Sequence, residues 1–316
     1  MTNYGARYYQ KLQDLSRSQR IDMQALVRLY AQQRLLYRIS VSDVGAEFCL
    51  KGGLMLAAYN GGELFRSTDD IDLNGFGFGG IDEIERAIRI AISADVPEDG
   101  VVFDGSSLTV KKDRGEGIIP GGKVQLFAQL HTARIPLAID VGFGNVITPF
   151  AEEIDIPTLL SDLLPSPRVY GYPLETIVAE KLHAMAQHGL ANTRLKDYYD
   201  VWRIQNKYDF DGLDLSNAIT ATFHQQGRKL VVNMPALSDA FALRGERDWK
   251  AFLKKTVYKD EVTLSQVMPQ IREFLVPPIE TALGLAPAME WFHDRGWVQP
   301  VFEIGLDEGE AAGLSM

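Results

Sequence analysis

The chain has 316 residues, 46% apolar and 23% charged, an ordinary balance for a globular protein of one large domain or two medium ones. No stretch approaches the ~20 consecutive apolar residues that cross a bilayer, the N-terminus lacks the apolar core of a secretion signal, and the single cysteine, Cys49, excludes an intramolecular disulfide and a cysteine-rich zinc site. A net charge of −10 argues against binding nucleic acid through many phosphates, though a local basic patch could still receive an RNA end; the expectation is a cytoplasmic protein with no membrane partner.

Residues 7–38 read as helix, with Tyr8, Leu12, Leu15, Leu26, Leu29 and Leu35 near helical spacing and a break near Ser16–Ser18. Glu47 to Leu50 reads as a short strand, with Cys49 a small buried hydrophobe, running into a tight turn at Lys51-Gly52-Gly53. A helix follows over Leu54–Tyr59 and stops at Asn60-Gly61-Gly62. Asp70-Ile71-Asp72-Leu73 alternates as a half-buried strand does. The glycine-rich loop from Asn74 to Gly80 follows no long apolar strand and has no acidic residue at the distance a dinucleotide site requires, so it is read as a loop. Ile81–Ala94 is a helix; strands follow around Val101–Val110, Lys123–His131 and Ile135–Phe143. Past Pro149 a proline-punctuated connection leads into sequence that reads as helix to about residue 295, ending in an acidic, glycine-rich, frayed tail, Gly305–Met316. The reading is an α/β fold: a small mixed-sheet domain over 1–165 with N-terminal helices, then a mainly helical domain over 166–316.

Asp70 and Asp72 carry the strongest chemical signal. On a strand, residues i and i+2 share a face with roughly 6–7 Å between their bases, and two carboxylates so placed converge on divalent cations such as Mg²⁺ or Mn²⁺. Two-metal phosphoryl or nucleotidyl transfer needs this arrangement. An isolated Asp-x-Asp is equally an exposed strand edge, so the context carries the weight. Lys51-Gly52-Gly53 sits between a strand and a helix, where bare amides and a positive helix end cradle phosphates. Asp140 closes another apolar strand and either completes a metal cage or is a solvated strand-end acid. Lys181 falls inside the apolar stripe of the helix Pro173–Gln187, seven residues after Leu174 and four after Ile177; it either snorkels to the edge or meets a phosphate or carboxylate in a cleft. Asp197 and Asp200 are neighbours on a helix face and either join the site or pair on the surface with Arg194 and Lys196. Arg66 meets a phosphate or Asp69, and Thr68 is at minimum a turn residue. The five histidines show no metal-ligand spacing; His183 and His188, five apart, miss a shared helix face.

The run FCLKGGLMLAAYNGGELFRSTDDIDL over Phe48–Leu73 resembles the nucleotidyltransferase signature of the AbiEii/AbiGii toxin family, within the DNA polymerase β-like superfamily, with Asn60–Glu63 as a loop insertion. Ala179-Glu180-Lys181-Leu182 is similar to the family's second motif, and Arg194-Leu195-Lys196-Asp197-Tyr198-Tyr199-Asp200 to its third; the three stand in the family's order over roughly residues 45–205. The resemblance implies a bilobed molecule with its active site in an interlobe cleft. It implies Asp70 and Asp72 as catalytic metal ligands, with Asp140 the candidate third carboxylate from its strand position, and Lys181 as the holder of the nucleoside triphosphate (NTP). It also implies Asp200 in the site, and Thr68 in the site as a hydroxyl that an antitoxin phosphorylates in some relatives. Lys51, Gly52, Gly53 and Arg66 complete the nucleotide-binding set. The implied activity is transfer of NMP from an NTP to an RNA acceptor, the tRNA 3′ end, blocking translation, with a cognate antitoxin as partner. A patch of Lys111, Lys112, Arg114 and Lys123 is the candidate for receiving RNA. The alternatives are NMP transfer to a protein side chain, or a nucleotide-binding pseudo-enzyme without turnover.

Overall fold

A computed structural model describes residues 3–64, 66, 68–77, 80–113 and 121–300. Phe78 and Gly79 of the glycine-rich loop, Arg114 of the basic patch and the tail from Gly305 lie outside the described residues.

The N-terminal helical stretch is two helices, α1 (Tyr4–Gln19) and α2 (Met23–Val41), each started by a side chain that accepts from the first turn: Asn3 from the Ala6 amide, Asp22 from that of Ala25. β1 (Phe48–Lys51) leads directly into α3 (Gly52–Tyr59), then β2 (Asp70–Gly75), α4 (Ile81–Ile92), β3 (Val101–Lys112), β4 (Gly122–Leu130) and β5 (Ala133–Phe143). β6 (Glu152–Asp155) and β7 (Arg168–Gly171) complete a seven-stranded sheet in the order β3-β4-β5-β2-β1-β7-β6. The β2–β5 and β1–β7 pairs are parallel and the rest antiparallel.

The stretch read as a plain connection therefore supplies two strands, and residue 165 falls between the paired strands β6 and β7. Both are four residues long, and the pairing that places β7 is with β1, more than a hundred residues upstream. No local pattern announces such a strand.

The alternation along β2, β4 and β5 sorts the sheet into two faces. Ile71, Leu73, Val124, Leu126, Leu137, Ile139 and Val141 are buried in the core with α2 and α4. The same register turns Asp70, Asp72, Lys123 and Asp140 to the opposite face.

The helical half comprises α5 (Leu174–His188), α6 (Leu195–Gln205), α7 (Gly212–Gln225), α8 (Asp239–Leu253) and α9 (Leu264–Ala282). Asp211, Ser238 and a Thr263/Gln266 capping box start the last three. This half is not wholly helical. β8 (Phe210–Asp211), β9 (Glu290–Phe292) and β10 (Gly296–Val298) form a small second sheet, on which Trp291 and Trp297 pack against Phe274 of α9 at 5.0 and 6.0 Å between ring centres. Among the described residues, no helix is long and apolar enough to cross a membrane.

Candidate functional site

Five positions on adjacent strands form one polar row across the open face of the sheet. Asp72 of β2 is the register partner of Asp140 on β5 and of Lys51 on β1; Asp140 is in turn opposite Lys123 on β4, and Lys123 opposite Lys111 on β3. Asp70, two residues before Asp72, falls on the same face. Asp70, Asp72 and Asp140 each place a carboxylate oxygen within 4.8 Å of the others. Oxygens around one divalent cation, at metal–oxygen distances of roughly 2.0–2.4 Å, lie no more than about 4–5 Å apart, so the donor set fits a hard cation.

The electrostatics agree. Burial pushes the Asp72 carboxyl up to about 6, and the Asp70 charge adds to the rise while Lys51 and Lys196 oppose it. Asp140 is also raised, by burial and then by Asp70, against the pull of Lys123, whose Nζ stands 3.6 Å from its Oδ2. Carboxylates that repel one another in a partly dehydrated site are the environment a divalent cation relieves.

The two glycines before α3 are required by this geometry. Gly52 has φ +68°, and a Cβ there would stand 1.9 Å from Asp72 Oδ2. A Cβ on Gly53 would stand 2.7 Å from Thr68 Oγ1. The start of α3 is thus pressed directly against the acid cluster, with Thr68 beside it.

Beyond Asp72 opens a cleft lined by Lys51, Gly52 and Gly53 on one side, by Ile177, Glu180, Lys181 and Ala184 of α5, and by Arg194, Lys196 and Asp197 at the start of α6, with Arg66 reaching in. Its charged walls are cross-linked. Lys51 Nζ lies 3.3 Å from Glu180 Oε1. The Lys181 ammonium, buried in α5, reaches Asp200 Oδ2 at 2.5 Å and Asp197 Oδ1 at 3.2 Å. Arg66 grips Asp200 with two nitrogens, at 3.0 and 2.9 Å, and Arg194 Nε donates to Asp197 Oδ2 at 2.8 Å. Burial works against the charged forms, but the pairing outweighs it: Lys181 is held above its ordinary range by Asp200 and Asp197, and Asp200 below its own by Lys181 and Arg66.

Residues 34–283 match the family described as "Nucleotidyl transferase AbiEii toxin, Type IV TA system". The chain belongs to the AbiEii family. It is accordingly a nucleotidyltransferase of a type IV toxin–antitoxin family. Among solved structures it is similar to MenT4, a nucleotidyltransferase toxin from Mycobacterium tuberculosis H37Rv, with 16% identity, a TM-score of 0.51, and coverage of 87% of this chain and 99% of that one. JHP933 from Helicobacter pylori aligns at 15% identity and a TM-score of 0.47, over 84% of this chain and 94% of that one. At such identity the MenT4 likeness speaks for the fold. No curated protein matches the chain.

All three AbiEii motifs converge on the cleft, yet some members stand differently from the sequence reading. Asp197 and Asp200 are buried, at 2% and 0% exposure, so their ion pairs are not surface pairs on α6. Arg66 meets Asp200, and Asp69 pairs with Arg28 of α2. Lys181 does not snorkel to an edge: it is tied to the two aspartates. His183 packs edge-on to Phe223, 5.3 Å between ring centres. Sequence reasoning missed Glu180 and Lys196 as cleft-lining residues. The available signal was helical: Ile177, Glu180, Lys181 and Ala184 repeat at i, i+3, i+4 and i+7, one face of α5.

Proposed function

We propose that the chain transfers a nucleoside monophosphate from an NTP to an RNA acceptor, the tRNA 3′ end, and so blocks translation. The observation that carries this reading is the convergence of Asp70, Asp72 and Asp140 beside a cation-lined cleft floored by Gly52 and Gly53. The family implies the NTP substrate and a cognate antitoxin; the tRNA acceptor follows from the resemblance in the three motifs.

In this reading Asp70, Asp72 and Asp140 would hold Mg²⁺ or Mn²⁺. Such ions, when bound, offset the triphosphate charge and make the acceptor hydroxyl more nucleophilic. The residues of the chain supply position and charge. The Gly52–Gly53 backbone approaches the phosphates without a Cβ in the way, and Lys51 and Arg66 face them. Thr68 borders Gly53, and Lys181 and Asp200 brace α5 against α6. The acceptor hydroxyl gives up its proton to solvent as its oxygen bonds to the α-phosphorus, the bond to the bridging oxygen of the β-phosphate breaks, and pyrophosphate leaves with that electron pair.

The open cleft holds about 160 Å³, below the ~300–1,000 Å³ of pockets that hold a whole small ligand. It suits the phosphates, with ribose and base toward the opening. The sheet-bearing and helical parts are read as two lobes with the cleft between them, divided after β7. A protein acting on tRNA works in the cytoplasm.

The second reading, NMP transfer to a protein side chain, is favoured by the net charge of −10. Incubation with each α-labelled NTP, Mg²⁺ and either total tRNA or lysate protein tests the choice. Label in the tRNA is expected; label confined to the protein fraction overturns the tRNA reading.

A further inference from the structure

Among the described residues, five cations line the cleft: Lys51, Arg66, Lys181, Arg194 and Lys196. Four are already matched to carboxylates: Lys51 to Glu180, Arg66 to Asp200, Lys181 to Asp197 and Asp200, and Arg194 to Asp197. Lys196 alone has no ion pair among the described residues. It sits in the first turn of α6, half-buried, on the wall that faces Asp72 and Gly52.

The cost of desolvating a lysine beside a cleft is recovered when an anion meets it. Lys181 is poorly placed for that task. Its ammonium has three donors, two are engaged by buried aspartates, and an anion drawing it out would leave Asp197 with Arg194 alone and Asp200 with Arg66 alone. Lys196 has nothing to give up. Lys51 already meets Glu180, Arg66 meets Asp200 and Arg194 meets Asp197, which leaves Lys196 as the cleft cation with no carboxylate partner among the described residues.

We infer that Lys196 is the direct ligand of the terminal phosphates of the NTP, and that Lys181 is a positioning residue that fixes α6 so that Lys196 points into the cleft. The inference rests on the nucleotide-binding reading of the cleft. It divides the work between two lysines of consecutive motifs: one contacts the substrate, the other holds the wall.

The test measures binding of Mg²⁺-loaded inorganic tripolyphosphate and of NTP by calorimetry, alongside KM and kcat for NMP transfer. The proteins are the wild type, Lys196→Ala, Lys196→Arg and Lys181→Ala. Lys196→Ala is expected to weaken tripolyphosphate binding and raise the NTP KM by about tenfold or more, the scale of one lost charge-assisted contact, at unchanged melting temperature; Lys196→Arg restores most of it. Lys181→Ala is expected to lower the melting temperature. Unchanged tripolyphosphate affinity and KM in Lys196→Ala overturn the assignment, as does loss of tripolyphosphate binding in a Lys181→Ala protein that melts like the wild type. A wild type that binds neither tripolyphosphate nor NTP overturns the nucleotide reading itself.

Discussion

Asp72 and Asp140 stand directly opposite one another as register partners on the neighbouring parallel strands β2 and β5. The pairing forces two carboxylates onto one face at the spacing of adjacent strands, with Asp70 beside them, and the protein carries the resulting repulsion in its folded state.

Burial of the Asp72 carboxyl, with the neighbouring Asp70 charge adding to it, gives a pH dependence of stability. The folded Asp72 carboxyl titrates at about 6 against an ordinary 3.8, so between these values the folded state binds more protons than the unfolded one, and stability falls as pH rises through the window. The metal-free protein is expected to melt about 2–4 °C higher at pH 5 than at pH 7 from this group, on the scale of roughly 1 kcal/mol. Asp72→Asn removes the difference, and so does saturating Mg²⁺ at pH 7. Differential scanning fluorimetry with and without chelator reads all three.

The two glycines should not be equivalent. Gly52→Ala introduces a Cβ at 1.9 Å from Asp72 Oδ2 in a backbone of φ +68°, whereas Gly53→Ala meets only the Thr68 side chain. Transfer activity is expected to fall at least about a hundredfold for Gly52→Ala, and less for Gly53→Ala, which Thr68→Gly partly rescues. Initial rates with labelled NTP decide between this order and its reverse.

Removal of the Lys181 ammonium leaves Asp197 and Asp200, almost fully buried, with one cation each. Lys181→Met is expected to cost about 3 kcal/mol in urea unfolding, and Asp200→Asn in the same chain to recover part of it. Asp200 itself lies below its ordinary 3.8 because Lys181 and Arg66 outweigh the effect of burial. Its stabilisation is therefore present above that value and lost as pH falls below it. The Asp200→Asn variant should show a shallower acid-unfolding limb.

Cys49 is fully buried on β1 and its thiol is pushed up to about 12 by burial. It should be inert to thiol reagents at pH 8 in the native protein and react stoichiometrically in denaturant. Stoichiometric native labelling would contradict the placement of β1 in the core.

The parts of the site legible in the sequence are those set by local pattern. Alternation along Asp70–Leu73 and Leu137–Val141 gives both strands and the face of their acids, and Lys51-Gly52-Gly53 marks the start of α3. The parts that were not legible depend on distant partners. Arg66 finds Asp200 across 134 residues, and nothing near Arg66 distinguishes that choice from Asp69. Asp197 and Asp200 have the i, i+3 spacing of a surface pair and become buried where α6 packs among α5, α8 and α9. β6 and β7 lie in proline-punctuated sequence, and β8–β10 are strands of two or three residues assembled from segments eighty residues apart.

Mn²⁺ binding followed by electron paramagnetic resonance tests the central claim most directly. The wild type is expected to remove free Mn²⁺ from solution at pH 7.5, while Asp72→Asn and Asp140→Asn fold, leave the Mn²⁺ free and transfer no NMP. Equal Mn²⁺ binding by the wild type and both variants would contradict the assignment of the three aspartates.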